Sequence, residues 1–176
     1  MAQPAPTTTP APASALLDGA TFKEVVGLDD HDMAAIYSLA YVQYEQSRFA
    51  EAEKTFRVLC FHDHKNPRYW LGLGAARQQL KDYEGAIAAY SMLAENGGTD
   101  PYAPLYAAEC YLALGLFEEA ISGLEVALDW AVHAEDPQAV IRHVEVLYTA
   151  LEQLAEAAAK GAESDAPAPA SAGNVG

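Results

Sequence analysis

RYWLGLGAARQQLKDYEGAIAAY, residues 68–90, decides how this chain folds. Aromatic side chains stand at both ends, and Gly72, Gly74, Ala75 and Ala76 crowd the middle. Residues this small let another backbone come close, and the flanking sequence shows which one. One constant step, taken in either direction, carries Ala86 to Ala52 and Ala120, and Tyr83 to Phe49 and Phe117. The same step carries Gly74 to Ala40 and Ala108, Tyr90 to Phe56 and Leu124, and Leu73 to Leu39 and Ala107. Three copies in one register, without insertion, have the period of tetratricopeptide repeats, each a pair of antiparallel helices.

The expected fold is therefore all-α: three tandem repeats at about 33–66, 67–100 and 101–134, with helix pairs at 33–62, 67–96 and 101–131. Local signals agree. Asp30 or Asp32, Asn66 before Pro67, and Asp100 before Pro101 are helix starts, because Asp and Asn cap and Pro suits the first turn. Pro104 also falls in a first turn, where no N–H is missed. QSRF, LKDYEG and LGLF supply the turns inside the pairs. A short amphipathic helix is expected near 16–27. A final helix over 137–158 carries Val140, Val144, Leu147, Leu151 and Leu154 on one face, with Arg142, Glu145, Glu152 and Gln153 opposite. A repeat stack needs such a cap with a wet outer face.

Residues 1–15 and 161–176 are Pro-, Ala- and Thr- or Ser-rich, and too poor in apolar surface to offset the entropy of ordering. They are expected to be disordered tails around a domain at 16–160. With 176 residues, 51% of them hydrophobic, the chain suffices for a sizeable core. Its net charge is −15, and residues 116–176 hold eleven acids against Arg142 and Lys160. That charge repels nucleic acid and anionic membranes. Cys60 and Cys110 sit in apolar runs and read as buried, reduced thiols, which fits a cytosol. No stretch approaches the roughly 20 apolar residues of a membrane span, and the start lacks the basic region and apolar core of a secretory signal.

The search for chemistry returns little. FHDHK (61–65) sets His62, Asp63 and His64 at a helix end with no second cluster, and reads as exposed capping and loop residues rather than a metal site. Gly72-Leu73-Gly74 lies within a helix, so it is not a dinucleotide loop. Glu118 and Glu119 are adjacent, with no opposing acid. No enzyme, cofactor or metal is expected.

The inner face of the stack is more informative. First helices of such repeats line a concave groove, and residues one turn apart share a face. In the first repeat that face holds Tyr37, Tyr41 and Tyr44; one period on stand Leu71, Ala75 and Gln78, then Leu105, Glu109 and Leu112. Ile36, Leu39 and Ala40 fill the core stripe by register, which frees the tyrosines for a ligand. Gly74 and Ala86 bring the two helices of one repeat together, with Trp70, Tyr83 and Tyr90 around them. Gly72 and Ala75 lie off that contact and leave room for a foreign backbone. A groove of Tyr, Leu, Ala, Gln and Glu lacks the Lys, Arg and Asn that hold an acidic C-terminus, so an extended apolar peptide suits it better.

IYSLAYVQYEQSRFAEAEKTFRVLCFHDHKNPRYWLGLGAARQQLKDYEGAIAAYS (36–91) and PYAPLYAAECYLALGLFEEAISGLEVAL (101–128) closely resemble the class II chaperones of type III secretion systems, the LcrH/SycD-like family. The resemblance covers about 18–155, with LGLGAARQ and AAEC its most specific elements. It implies a cytosolic protein of Gram-negative bacteria that binds hydrophobic translocator subunits and keeps them soluble until secretion. It maps the family's groove onto Tyr37, Tyr41, Tyr44, Leu71 and Ala75. It also implies homodimers involving the N-terminal helix in many members, and a regulatory partner in some. The rival reading is a repeat adaptor or scaffold with no unstable client.

Overall fold

The computed structural model describes residues 12–164, with side-chain surroundings for 14–155. The described residues form α1 (Pro12–Leu17), α2 (Phe22–Val26), α3 (Asp30–Glu45), α4 (Phe49–His62), α5 (Pro67–Gln79), α6 (Tyr83–Glu95), α7 (Tyr102–Ala113), α8 (Phe117–Ala131) and α9 (Pro137–Ser164), with no strand among them. α3–α4, α5–α6 and α7–α8 are the three pairs, and each second helix also packs on the first helix of the next pair.

Side chains set the starts. Asp29 and Asp32 form a reciprocal cap on α3: the Asp32 N–H donates to Asp29 Oδ1 (2.8 Å) and the Asp29 N–H to Asp32 Oδ2 (3.2 Å). Asn66 accepts from the Arg68 N–H at 3.1 Å, Asp82 from Gly85 at 3.1 Å, and Asp100 from Tyr102 at 3.0 Å.

The three turns inside the pairs share one geometry. Ser47, Lys81 and Gly115, each one repeat period from the last, are left-handed, with φ of 58°, 64° and 75°. After each, an N–H reaches back five residues: Arg48 to Gln43 O, Asp82 to Arg77 O, and Leu116 to Tyr111 O, at 2.9, 3.0 and 2.9 Å. This is the Schellman closure of a helix, which favours glycine at its left-handed position. Only the third turn has it.

Small residues sit where the register places them. Ala52, Ala86 and Ala120 are fully buried, as are Ala40 and Ala108, and Gly74 is buried with them. A Cβ on Gly74 would lie 2.4 Å from Cε1 of Tyr90, so that ring, more than the Ala86 backbone, requires the glycine. Leu59, Leu73, Leu105 and Leu124 complete the core. Burial of each contributes about 1.5–3 kcal/mol.

Several expectations need correction. Leu39 is 53% exposed, although Ala40 is buried and Ile36 partly so. The equivalent Leu73 is covered by the preceding helix pair, whereas among the described residues no pair packs on α3 from that side. The single helix expected near 16–27 is two, broken at Asp18–Thr21, with Gly19 at φ 88°. α1 begins at Pro12 and α9 runs to Ser164, so 12–15 and 161–164 are helical where tails were expected. Residues 1–11 and 165–176 lie outside the described part. On α9, Val140 and Val144 are buried and Leu147 and Leu151 half-buried, but Leu154 is 51% exposed, beyond the end of the α7–α8 pair. Asp63 is also not the exposed loop residue expected. It is 8% exposed and pairs with Lys23 at 3.2 Å.

Candidate functional site

α3, α5 and α7 line an open cleft of about 340 Å³. α3 contributes Tyr37, Tyr41 and Tyr44, and α5 contributes Leu71, Ala75 and Gln78. The repeat register thus brings six of the expected groove residues together. The tyrosines differ in burial. Tyr41 is 53% exposed. Tyr37 is half-buried, its ring edge-on to Phe56 at 6.0 Å and tilted against Tyr69 at 5.8 Å. Tyr44 is half-buried edge-on to Phe49 at 5.3 Å, and burial raises its phenol above the ordinary range. Tyr37 and Tyr44 therefore serve both wall and core.

The third repeat departs from expectation. Leu105 is fully buried among Ala108, Leu124 and Val140, and Leu112 packs against the same cluster; neither lines the cleft. Val140 and Val144 of α9 close this cluster over Leu105, although α9 stands against α7 much as α7 does against α5 and α5 against α3. α7 instead offers Tyr106 and Glu109. Glu109 stood in the expected register; Tyr106, three residues before it, was missed although that spacing shares its face. Arg68 was missed too. It lies over the Tyr37 ring at 5.8 Å.

Gly72 is a second correction. It lines the cleft as expected, but a Cβ there would lie 2.2 Å from Cε1 of Phe56, a ring that also lines the cleft, so a neighbour within the chain already requires the position to be small. Ala75 keeps its place on the cleft wall.

A run of polar contacts braces the cleft. The Tyr90 hydroxyl donates to Gln78 Oε1 (2.8 Å), and Gln78 Nε2 donates to Glu109 Oε2 (2.6 Å). Glu109 Oε1 meets His143 Nε2 on α9 at 2.8 Å. Burial raises the Tyr90 phenol, which stays a neutral donor at neutral pH. Both ends of the Gln78 amide are engaged, so it fixes the wall and its apolar neighbours present the binding surface. Among the described residues no group of three or more His, Cys, Asp or Glu is placed to hold a metal. The cleft has the shape and lining to hold an extended apolar segment.

Known proteins share both sequence and fold. The tetratricopeptide repeat family model matches residues 33–66 and 67–95. The chain is 40% identical to the Low calcium response locus protein H of Yersinia pestis over 114 residues, 65% of this chain and 68% of that relative. It is similar to the crystal structure of a T3SS complex from Aeromonas hydrophila, with 32% identity, 84% of this chain and 99% of that one covered, and a TM-score of 0.77. It is also similar to the type III secretion chaperone SycD of Yersinia enterocolitica, solved with a peptide of the translocator YopD, at 34% identity, 72% and 96% coverage and a TM-score of 0.67. By this identity and coverage, and by the shared fold, the chain belongs to the LcrH/SycD-like family of tetratricopeptide-repeat chaperones of type III secretion translocators.

Proposed function

We propose that this protein is a cytoplasmic chaperone of a Gram-negative bacterium. It holds an extended segment of a hydrophobic type III translocator in the α3–α5–α7 cleft and keeps that client soluble and ready for secretion. The observation that carries the reading is the convergence of Tyr37, Tyr41, Tyr44, Leu71 and Ala75 on one open cleft, in a chain similar to SycD bound to a YopD peptide. Tyrosine suits the task, being large, stiff and amphipathic. A client with membrane-seeking segments aggregates in water, and a partner of charge −15 confers solubility on the complex. Release must follow, so the segment alone should bind at roughly micromolar Kd, about −8 kcal/mol.

The domain at 16–160 carries this activity, and the same peptide should bind a chain trimmed to it. Self-association is assigned to the N-terminal region, where Leu16, Leu17 and Leu39 are exposed. The test is co-expression with the translocators of the same secretion system. They should turn from insoluble to soluble with this chain, and less so with its Tyr41→Ala variant. An adaptor would bind folded partners and rescue nothing.

A further inference from the structure

A larger cavity, about 540 Å³, lies between α6, α7 and α8. It is separate from the cleft: on α7, Pro104, Ala107 and Tyr111 face the cavity, while Tyr106 and Glu109 face the cleft about half a turn away. The repeat register explains why it is open. The positions one period before Pro104 and Ala107 are Trp70 and Leu73, two large side chains set into the core. The position before Tyr111 is Arg77, which bridges to Glu53 at 3.5 Å and donates to Gly85 O at 3.1 Å. The second repeat fills this place from within, whereas the third leaves it empty over a mostly apolar floor.

The charge around it is one-sided. Residues 82–141 contain eleven Asp and Glu and not one Lys or Arg, and exposed Glu118 and Glu119 stand at the cavity. Seven of the ten cations lie in 48–81, against three acids. The surrounding backbone is helical and hydrogen-bonded within its own helices, so strand addition is excluded and only inserted side chains can fill the space. A helix presents apolar residues on one face at i, i+3, i+4 and i+7 with cations beside them. The segments outside the described residues, 1–11 and 165–176, hold no Lys or Arg and lack the charge to be the occupant.

We infer that the α6–α7–α8 cavity is a second docking site, for a basic amphipathic helix of a partner protein, available while the cleft holds its client. Both apolar fit and opposite charge contribute to this contact.

The test is isothermal titration of the full chain with an amidated helical peptide of Leu and Lys, one face apolar, beside a control peptide with Ser in place of Leu. The Leu peptide should bind and the Ser peptide should not. Ala94→Trp and Ser122→Trp fill the cavity from exposed wall positions, so thermal melts should remain as in the wild type. Each should weaken the peptide by roughly tenfold or more, as should Glu118→Gln with Glu119→Gln. Tyr41→Ala, in the cleft, should change nothing. Equal binding of the Ser peptide, indifference to both Trp variants, or loss with Tyr41→Ala would each overturn the inference. So would concentration-dependent growth of the chain in sedimentation that Ser122→Trp abolishes, since the occupant would then be a second copy.

Discussion

The ring of Phe56 lies where a side chain on Gly72 would have to start, with its Cε1 2.2 Å from the position of a Cβ. The glycine on α5 thus exists for the aromatic ring on α4, and the two repeats lock through that contact. Gly72→Ala should destabilise the fold by about 1–3 kcal/mol, the usual cost of overpacking. Phe56→Leu combined with it should recover part of the loss. Urea unfolding of both variants checks this; an unchanged midpoint for Gly72→Ala would mean that the ring moves aside freely.

The left-handed turns offer the opposite change. Ser47 and Lys81 carry side chains at φ 58° and 64°, a conformation that glycine adopts without penalty. Ser47→Gly and Lys81→Gly should each raise stability, by about 0.5–1 kcal/mol, and Gly115→Ala should lower it by a similar amount. Thermal melts of the three variants measure the sign directly.

The tyrosines should separate by their burial. Tyr41→Ala should weaken a bound translocator peptide by about 1–3 kcal/mol with little change in melting. Tyr37→Ala and Tyr44→Ala should reduce both, because their rings also pack on Phe56 and Phe49. A Tyr41 variant that binds normally would show that the cleft does not hold the client.

Both thiols should be silent in the folded protein. Cys60 is 4% exposed and Cys110 fully buried, and burial pushes each thiol up to about 12. At pH 8 the thiolate fraction is then about one ten-thousandth, too little for alkylation. Iodoacetamide followed by mass spectrometry should find neither modified until the chain is unfolded.

Lys23 ties α2 to the body. Asp30 at 2.9 Å, then Asp63 at 3.2 Å, hold its ammonium well above the ordinary lysine range. A raised lysine contributes stability that is present in full below its unfolded value, about 10.5, and is lost as pH rises through the folded one. The tie should therefore hold across neutral pH and weaken only in strong alkali. Lys23→Met should speed hydrogen exchange in α2 at neutral pH and leave α5–α8 unchanged.

How much of this was legible in the sequence depends on which contacts repeat. The repeat register determined the three helix pairs, the alanines at 52, 86 and 120, the caps at Asn66 and Asp100, and the meeting of Tyr37, Tyr41 and Tyr44 with Leu71 and Ala75. These depend on periodicity within a helix and on the next repeat having the same shape, and a sequence displays both. The tertiary structure decided what breaks the repeat. Leu39 is exposed because, among the described residues, no helix pair packs on α3 from its N-terminal side, and Leu105 is buried because Val140 and Val144 of α9 close over its cluster. Gly72 answers to Phe56 and Gly74 to Tyr90, because a ring crosses between helices at a place that no local spacing records. The ends of a stack lack a neighbour on one side, so identical register positions meet different surroundings there, and only the folded chain shows which.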